Sequence, residues 1–303
     1  MAVQTHEQAV GSKRRPRSKP RNTLNDLSGK QWIKRTKSWL VCDSKRYHRN
    51  RDTELHPARY PEELVAEFVE FFSKRGQWVL DPFAGSGATL VACHETGRRA
   101  VGIEISRKYA AMSDQRLAEI GAEGCCVVTG NAAGVDDPSF WAEHSNGELS
   151  DIARTPEGLP VFDFIMTSPP YWNMLRTSRG GVESTHKQRA KQGLDTFYSN
   201  DGEDLGNIGD YGEFIEALGG IFERCAEVLR DNGYMVVVAQ NVRVAAGEVR
   251  PLAWDLQRRI SRTLSFQGER IWCQDSKKLG IWGYPTVFVP NYHHHYCLIF
   301  QKK

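Results

Sequence analysis

Apolar and polar positions along the chain follow two periods, one typical of helices and one typical of strands. Residues 61–75 carry apolar side chains every three or four positions, which predicts an amphipathic helix that ends at Gly76. The apolar face of this helix consists of Leu64, Val65, Phe68, Phe71 and Phe72. Short apolar runs then alternate with helical patterns. The runs that predict strands are residues 78–80, 100–105, 125–128, 162–167 and 234–239, with strand-like segments around Ile271 and over 296–300. This alternation predicts an α/β fold with a doubly wound, parallel sheet.

Polar stretches interrupt this alternation. Residues 1–30 are basic and polar, so we expect a disordered arm in front of a domain of residues 31–303. In residues 31–41 aromatic and basic side chains interleave, and we expect Trp32 and Trp39 to pack onto the domain rather than contact phosphates. Residues 132–160 are rich in Gly, Pro and acids, which predicts a surface insertion. Residues 172–210 are rich in glycine and charge and form a second insertion, either functional or merely flexible.

Charge is distributed unevenly along the chain. The 303 residues include 40 Lys and Arg and 37 Asp and Glu, for a net charge of +3. Residues 1–51 hold 14 of the basic and three of the acidic residues, a net charge of +11, so the remainder holds 26 and 34, a net charge of −8. A basic arm on a mildly acidic body indicates a polyanionic partner such as nucleic acid, or else a solubilising tail.

The composition argues against membrane and secreted classes. No apolar run approaches the ~18 residues of a membrane span, and the first thirty residues lack the apolar centre of a signal peptide. The seven cysteines lack the C-x-x-C spacing of zinc or redox sites. We therefore expect a soluble, cytoplasmic protein with reduced thiols and no membrane partner.

Candidate ligand-binding residues follow the first three predicted strands. Residues 81–87 (DPFAGSG) join a strand to a helix, and Gly85 and Gly87 allow the backbone to approach a ligand closely. Glu104 ends the next strand, where a carboxylate accepts hydrogen bonds from two ribose hydroxyls. Asn131 follows the third strand, and its amide can contact an adenine edge. The loop lacks the Gly-Lys-Ser/Thr ending of a triphosphate site. These features alone leave an ordinary tight turn or a dinucleotide site open.

The most specific string is residues 167–172 (TSPPYW), at the end of the fourth predicted strand. Consecutive prolines form a rigid turn without backbone donors. Ser168 Oγ and the Pro169 carbonyl can accept hydrogen bonds from an amino group, while Tyr171 can stack on a planar ring. Two such acceptors hold the amino hydrogens out of the ring plane and direct the lone pair toward a sulfonium methyl group. A base must leave the duplex to reach them. The alternative is a structural turn with a buried tyrosine.

Three consecutive histidines, His293, His294 and His295, precede the end of the chain. Successive side chains on a strand point to opposite faces, so the three cannot all reach one ion. We therefore predict a structural or surface role for them and no metal site.

Together these residues resemble the bacterial DNA amino-methyltransferases, which make N4-methylcytosine and N6-methyladenine. The resemblance rests on residues 55–61 (LHPARYP), 81–87, 101–104 (VGIE), 168–171 (SPPY) and 292–300 (YHHHYCLIF). It implies a Rossmann-like methyltransferase fold with a seven-stranded, mostly parallel sheet and helices on both faces.

The resemblance also implies S-adenosylmethionine as the cofactor and double-stranded DNA, with the target base flipped out, as the substrate. The implied catalytic residues are Ser168, Pro169, Pro170 and Tyr171. The implied cofactor contacts are His56, Pro57, Asp81, Pro82, Phe83, Gly85, Ser86, Gly87, Thr89, Glu104, Ile105 and Asn131. Asn131 departs from the family, which often has an acid at this place. The insertion at 172–210 is the candidate target-recognition region, and the basic arm would supply phosphate contacts.

Within this family, Ser-Pro-Pro-Tyr is seen more often with cytosine, and an acid in the first place is typical of adenine enzymes. We therefore expect a site-specific cytosine-N4 DNA methyltransferase of restriction-modification type, located in the cytoplasm with the nucleoid. Adenine-N6 methylation, an RNA substrate and an inactive DNA-binding protein stay open as alternatives. The sequence does not determine the oligomeric state.

Overall fold

The computed structural model describes residues 22–42, 60–142, 147, 149–172, 205–244, 247–277, 279–281 and 283–303. Most of the expected arm, both His56 and Pro57, and most of the insertion at 172–210 lie outside the described residues.

The described strands form one large sheet and one small hairpin. The strands are β1 (Trp39–Val41), β2 (Trp78–Asp81), β3 (Arg99–Glu104), β4 (Cys125–Thr129), β5 (Phe162–Thr167), β6 (Leu229–Ala239), β7 (Val242–Arg243), β8 (Val249–Arg250), β9 (Ser265–Cys273) and β10 (His294–Gln301). The order in the large sheet is β1-β9-β10-β6-β5-β2-β3-β4, and β7 pairs with β8. Only β10 runs antiparallel to its neighbours in the large sheet.

Helices cover both faces of this sheet. They are α1 (Gly29–Arg35), α2 (Glu62–Phe72), α3 (Ala88–Glu95), α4 (Arg107–Glu119), α5 (Pro138–Ala142), α6 (Tyr211–Val228) and α7 (Leu252–Ile260). Successive residues of a central strand enter different cores, as strand geometry requires. Leu80 packs in the core that contains α6 and α7, whereas its neighbour Val79 packs in the core that contains α2 and α3. The predicted α/β fold, with a mostly parallel sheet between two helical layers, is confirmed.

The sheet has eight described strands, one more than the seven expected. The additional strand is β1, which pairs in parallel with β9 through Trp39 and Ile271. The indole of Trp272 donates a hydrogen bond of 2.7 Å to the carbonyl oxygen of Cys42 and so attaches the end of this segment. The three-residue β1 carries no alternating pattern of apolar and polar residues and is largely exposed. Its place in the sheet comes from pairing with a strand more than 220 residues later in the chain.

Residues 22–30 differ from the expected disordered arm, because specific contacts attach them to α2. Asn25 is buried, and its amide donates a hydrogen bond of 2.6 Å to the carbonyl oxygen of Phe71. Ser28 and Gln31 form a capping box at the start of α1. The two tryptophans of the next segment behave differently: Trp32 packs on Phe71 at 4.8 Å between ring centroids, as predicted, whereas Trp39 is 46% exposed.

The segment 132–160 is less peripheral than its composition predicted. Trp141 on α5 is fully buried, packs against Phe162 and donates a hydrogen bond of 2.7 Å to the carbonyl oxygen of Val135. An insertion of polar composition therefore contributes one large side chain to the core beneath α6.

The topology brings several chain segments to one edge of the sheet. The carboxyl ends of β2, β3, β4, β5 and β6 lie there because these strands are parallel. The amino end of β10 lies at the same edge, since Tyr296 pairs with Ala239 at the end of β6. Within the described residues no helix has the length and apolar character needed to cross a membrane.

Candidate active site

The glycine loop between β2 and α3 follows a backbone path that requires glycine. Gly85 and Gly87 have φ angles of 53° and 79°, in the left-handed region. A Cβ atom on Gly87 would lie 2.2 Å from Ser113 Oγ of α4, which is far inside van der Waals contact. The loop is therefore both turned and packed tightly against α4.

Asp81 lies beneath this loop and accepts four hydrogen bonds. Phe83 N and Thr167 Oγ1 donate to Oδ1 at 3.0 and 2.6 Å. The Tyr60 hydroxyl donates to Oδ2 at 2.9 Å, and Thr89 Oγ1 donates to the same oxygen. Burial raises the pKa of the Asp81 carboxyl, while the hydrogen bonds act in the opposite direction. Asp81 thus ties the loop, α3 and the end of β5 together.

Glu104 is held in place by the backbone of two loops. Its Oε2 accepts a hydrogen bond of 2.8 Å from Gly85 N, and its Oε1 accepts one of 2.8 Å from Ser106 N. One backbone donor on each oxygen fixes the plane of the carboxylate, and a carboxylate oxygen can accept more than one hydrogen bond. This is an arrangement that can bind a vicinal diol.

A buried ion pair supports the loop from the opposite side. Arg116 of α4 donates hydrogen bonds to the carbonyl oxygen of Ser86 and, at 2.7 Å, to Glu62 Oε1 of α2. Both charged side chains are nearly inaccessible to solvent. Ser86 Oγ is buried and has no hydrogen-bond partner among the described residues, as expected of a group that a ligand contacts.

The turn after β5 directs a small polar cluster toward the backbone of β6. Ser168 Oγ lies 3.0 Å from the Tyr171 hydroxyl oxygen, and the two hydroxyls donate to the carbonyl oxygen of Val238 at 3.4 and 3.3 Å. Burial raises the pKa of Tyr171, so its phenol stays protonated. Trp172 has a φ of 50° and donates a hydrogen bond of 3.0 Å from its indole to the carbonyl oxygen of Ile208, so the turn is held on both sides.

One cavity, partly open to solvent, joins the glycine loop to this turn. Most sequence-predicted residues line it: Pro82, Phe83, Gly85, Ser86, Glu104, Ile105, Asn131, Ser168, Pro169, Pro170 and Tyr171. Asp81, Gly87 and Thr89 do not line it, but lie behind the loop and support its shape. Asn131 lines the cavity, and its Oδ1 also accepts a hydrogen bond from Ala133 N.

Tyr60 also lines the cavity, although it is not among the site residues predicted from the sequence. Its hydroxyl lies against both Asp81 and Thr89, and burial with the nearby Asp81 charge raises the pKa of Tyr60 well above its ordinary value. The available signal was its place three residues after Pro57, in the segment that resembles the family's cofactor-closing motif. Leu205 and Ile221 also line the cavity, and no motif marks them.

One of the three histidines, His295, stacks on an aromatic ring next to the turn. His295 packs on Trp272 at 4.4 Å between ring centroids and lies 6.1 Å from the Tyr171 ring. Burial, aided by Lys277 and His294, lowers the pKa of His295 to about 3, so the imidazole is neutral near pH 7. Among the described residues, no group of His, Cys, Asp and Glu is arranged to hold a metal ion.

Parts of this chain are similar to known proteins. A family model described as DNA methylase matches residues 4–115. The chain is 43% identical over 65 residues to the putative methylase YubD of Escherichia coli (strain K12) and 32% identical over 89 residues to the type II methyltransferase M.MthZI of Methanothermobacter thermautotrophicus. The resemblance to the DNA amino-methyltransferase family is confirmed.

The methyltransferase matches cover only part of each protein. They span 22% and 29% of this chain, and 29% and 25% of the two relatives, so the chain matches about a quarter of their length. TrmN from Thermus thermophilus is a solved structure similar to this one, with 12% identity and a TM-score of 0.44 over 80% of this chain and 48% of that chain. The methyltransferase family match supports S-adenosylmethionine as the cofactor.

Proposed function

We propose that this protein transfers a methyl group from S-adenosylmethionine to the N4 amino group of cytosine in double-stranded DNA. The observation that carries the proposal is a continuous cavity that the glycine loop and Glu104 line at one end and Ser168 and Tyr171 line at the other. A cofactor site alone would fit many enzymes. Here the same cavity also contains a proline-rich turn whose oxygens can accept hydrogen bonds from an amino group, and this combination fits methyl transfer to an aromatic amine.

The first half of the cavity suits the cofactor. Glu104, with both oxygens oriented by backbone N–H groups, would accept hydrogen bonds from the ribose hydroxyls. The start of α3 offers N–H groups for the carboxylate, and the buried Ser86 Oγ, which has no hydrogen-bond partner among the described residues, supplies a further polar contact. When bound, S-adenosylmethionine supplies an electrophilic methyl group on its sulfonium.

The second half of the cavity suits the flipped base. Ser168 Oγ donates its proton toward the backbone carbonyl of Val238, which leaves its lone pairs to accept from the amino group. The Pro169 carbonyl is the second acceptor, and Tyr171 provides an aromatic surface for stacking. The two acceptors would orient the amino lone pair toward the methyl group. The N–C bond would form as the S–C bond of the sulfonium breaks and leaves a neutral thioether, and the amino nitrogen would then release one proton to solvent.

Serine in the first place of the turn supports cytosine as the base, because a neutral hydroxyl stands where the adenine enzymes of the family typically carry an acid. The direct test is incubation with S-adenosylmethionine and mixed-sequence duplex DNA, followed by mass spectrometry of the digested nucleosides. We expect the wild type to form N4-methylcytosine and Ser168→Ala to form it at least about a hundredfold more slowly. N6-methyladenine would retain the reaction and overturn the choice of base, whereas no methylated base would refute the proposal.

A further inference from the structure

The segment between β9 and β10, residues 274–293, carries an unusual group of exposed apolar side chains, and we call it the β9–β10 loop. Nine large apolar side chains are exposed in the described part of the chain, and five of them lie in this loop. They are Leu279, Ile281, Tyr284, Val287 and Phe288, each 57–87% exposed. Single exposed apolar residues are common, but a concentrated group of them indicates a binding surface.

The loop has a defined backbone shape that does not depend on burying these side chains. Gly280 and Asn291 exchange two hydrogen bonds of 2.9 Å, and Lys277 Nζ donates to the carbonyl oxygen of Tyr292 at 2.8 Å. At the tip, Gly283 O accepts hydrogen bonds from Thr286 N and Val287 N. Polar contacts therefore hold the described backbone of the loop, and its apolar side chains face solvent.

The base of this loop is attached beside the catalytic turn. Gln240, directly after β6, donates a hydrogen bond of 2.8 Å to the carbonyl oxygen of His294 at the start of β10. The next residue, His295, lies 6.1 Å from the Tyr171 ring. The loop therefore projects from the same edge of the sheet at which a flipped base would enter the cavity.

The chemistry around the loop is that of a nucleic-acid surface. In sequence the loop carries two lysines, Lys277 and Lys278, against a single acid, Asp275, and it includes two tyrosines, one tryptophan and one phenylalanine. The β7–β8 hairpin is separated from β6 by two residues at this edge and adds Arg243 and Arg250, of which Arg250 lies 3.6 Å from Glu248. Apolar side chains that flank a flipped base can fill the gap it leaves or separate neighbouring base steps.

We propose that the β9–β10 loop is a DNA-contacting surface, and that Tyr284 and Phe288 pack against bases next to the flipped one. This inference rests on the proposed function. It places contacts with the target DNA in a part of the chain outside the insertion at 172–210, which is the target-recognition region expected from the sequence.

The test compares the double variant Tyr284→Ala/Phe288→Ala with the wild type and with Ile33→Ala, a matched variant of another exposed apolar residue, on α1. Methyl transfer from tritiated S-adenosylmethionine to duplex DNA and anisotropy of a fluorescent duplex give the KM and Kd for DNA. Equilibrium dialysis gives the affinity for S-adenosylmethionine. We expect the double variant to raise the KM and Kd for DNA by roughly tenfold or more, with unchanged cofactor affinity, and Ile33→Ala to match the wild type.

Three outcomes would overturn the inference, and they can be told apart. A double variant with wild-type KM and Kd, tested beside an active wild type, would refute the loop's role and leave the proposed function intact. Loss of self-association in the double variant, measured by sedimentation, with unchanged DNA parameters would assign the loop to an interface between copies of this chain. A wild type that neither methylates nor binds duplex DNA would refute the proposed function and the inference together.

Discussion

Asp81 and Thr167, the last residues of β2 and β5, are joined by a hydrogen bond of 2.6 Å from Thr167 Oγ1 to Asp81 Oδ1. Asp81 begins the glycine loop, and Thr167 immediately precedes the Ser168 turn. One buried contact therefore connects the two halves of the cavity. Because the other Asp81 oxygen accepts from Tyr60 and Thr89, the same carboxylate also positions a lining residue of the cavity.

We expect Asp81→Asn to weaken cofactor binding by about tenfold or more and to lower the free energy of unfolding by about 1–3 kcal/mol. The new amide NH₂ would face hydroxyl or N–H donors that now point at a carboxylate oxygen. Calorimetric titration with S-adenosylmethionine and urea denaturation measure the two effects.

Asp163→Asn is the matched control for this prediction. Asp163 also joins β5 to the chain around β2, through Trp78 N at 3.0 Å and Gln77 Nε2 at 2.7 Å, but near the opposite end of both strands. It should destabilise the fold without changing cofactor affinity. Equal loss of affinity in both variants would mean that Asp81 acts only through general stability.

Glu104→Gln should reduce cofactor affinity by about ten- to a hundredfold, which corresponds to about 1.4–2.8 kcal/mol. The carboxylate accepts from Gly85 N and Ser106 N, and a glutamine can accept on only one of its two side-chain atoms. The remaining atom would place an NH₂ against a backbone N–H. Titration with S-adenosylhomocysteine, which lacks the transferable methyl group, measures this loss apart from turnover; unchanged affinity would exclude Glu104 as a ligand.

Gly87→Ala should lower the free energy of unfolding by about 1–3 kcal/mol, because φ is positive and the new Cβ would meet Ser113 Oγ. Combining it with Ser113→Ala should restore part of the loss, since that change removes the clashing oxygen but leaves the backbone strain. Denaturant unfolding of the two single variants and the double variant gives the coupling energy. Additive effects would contradict the close packing of loop and α4.

The stability contributed by His295 should depend on pH in a definite direction. Its folded pKa, about 3, lies below the value of about 6.5 expected in the unfolded chain. Below pH 6.5 the unfolded state binds a proton that the folded state does not, so stability falls as pH drops from about 6.5 to 3, by at most about 1.4 kcal/mol per pH unit. Replacement by phenylalanine, which retains the stack on Trp272, should flatten this slope in unfolding curves; an unchanged slope would assign it to other groups.

The elements nearest the motifs were predictable from sequence because short-range patterns encode them. The helical period of Leu64, Phe68 and Phe72 predicts α2, and the apolar run before Asp81 predicts β2. The strand–loop–helix order then places Glu104 and Ser168 at one edge, because the carboxyl ends of parallel strands meet there. The order of neighbouring elements was therefore sufficient to predict where Glu104 and Ser168 lie, and both line the cavity.

Side chains that act across long sequence separations were not predictable. Thr167 lies 86 residues from Asp81, Arg116 lies 54 residues from Glu62, and Trp272 lies 230 residues from Cys42. No periodicity links such pairs, because hydrogen bonds between distant segments depend on how the sheet and helices pack.

The sequence by itself therefore determined the strands and helices next to the motifs and most of the motif residues that line the cavity, since both follow from periodicity and from turn chemistry within a few residues. Only the tertiary structure decided that Asp81 and Thr89 support the loop from behind, that β1 extends the sheet, and that the apolar side chains of the β9–β10 loop stay exposed to solvent. These outcomes depend on burial, and burial is a property of the packed chain rather than of any segment within it.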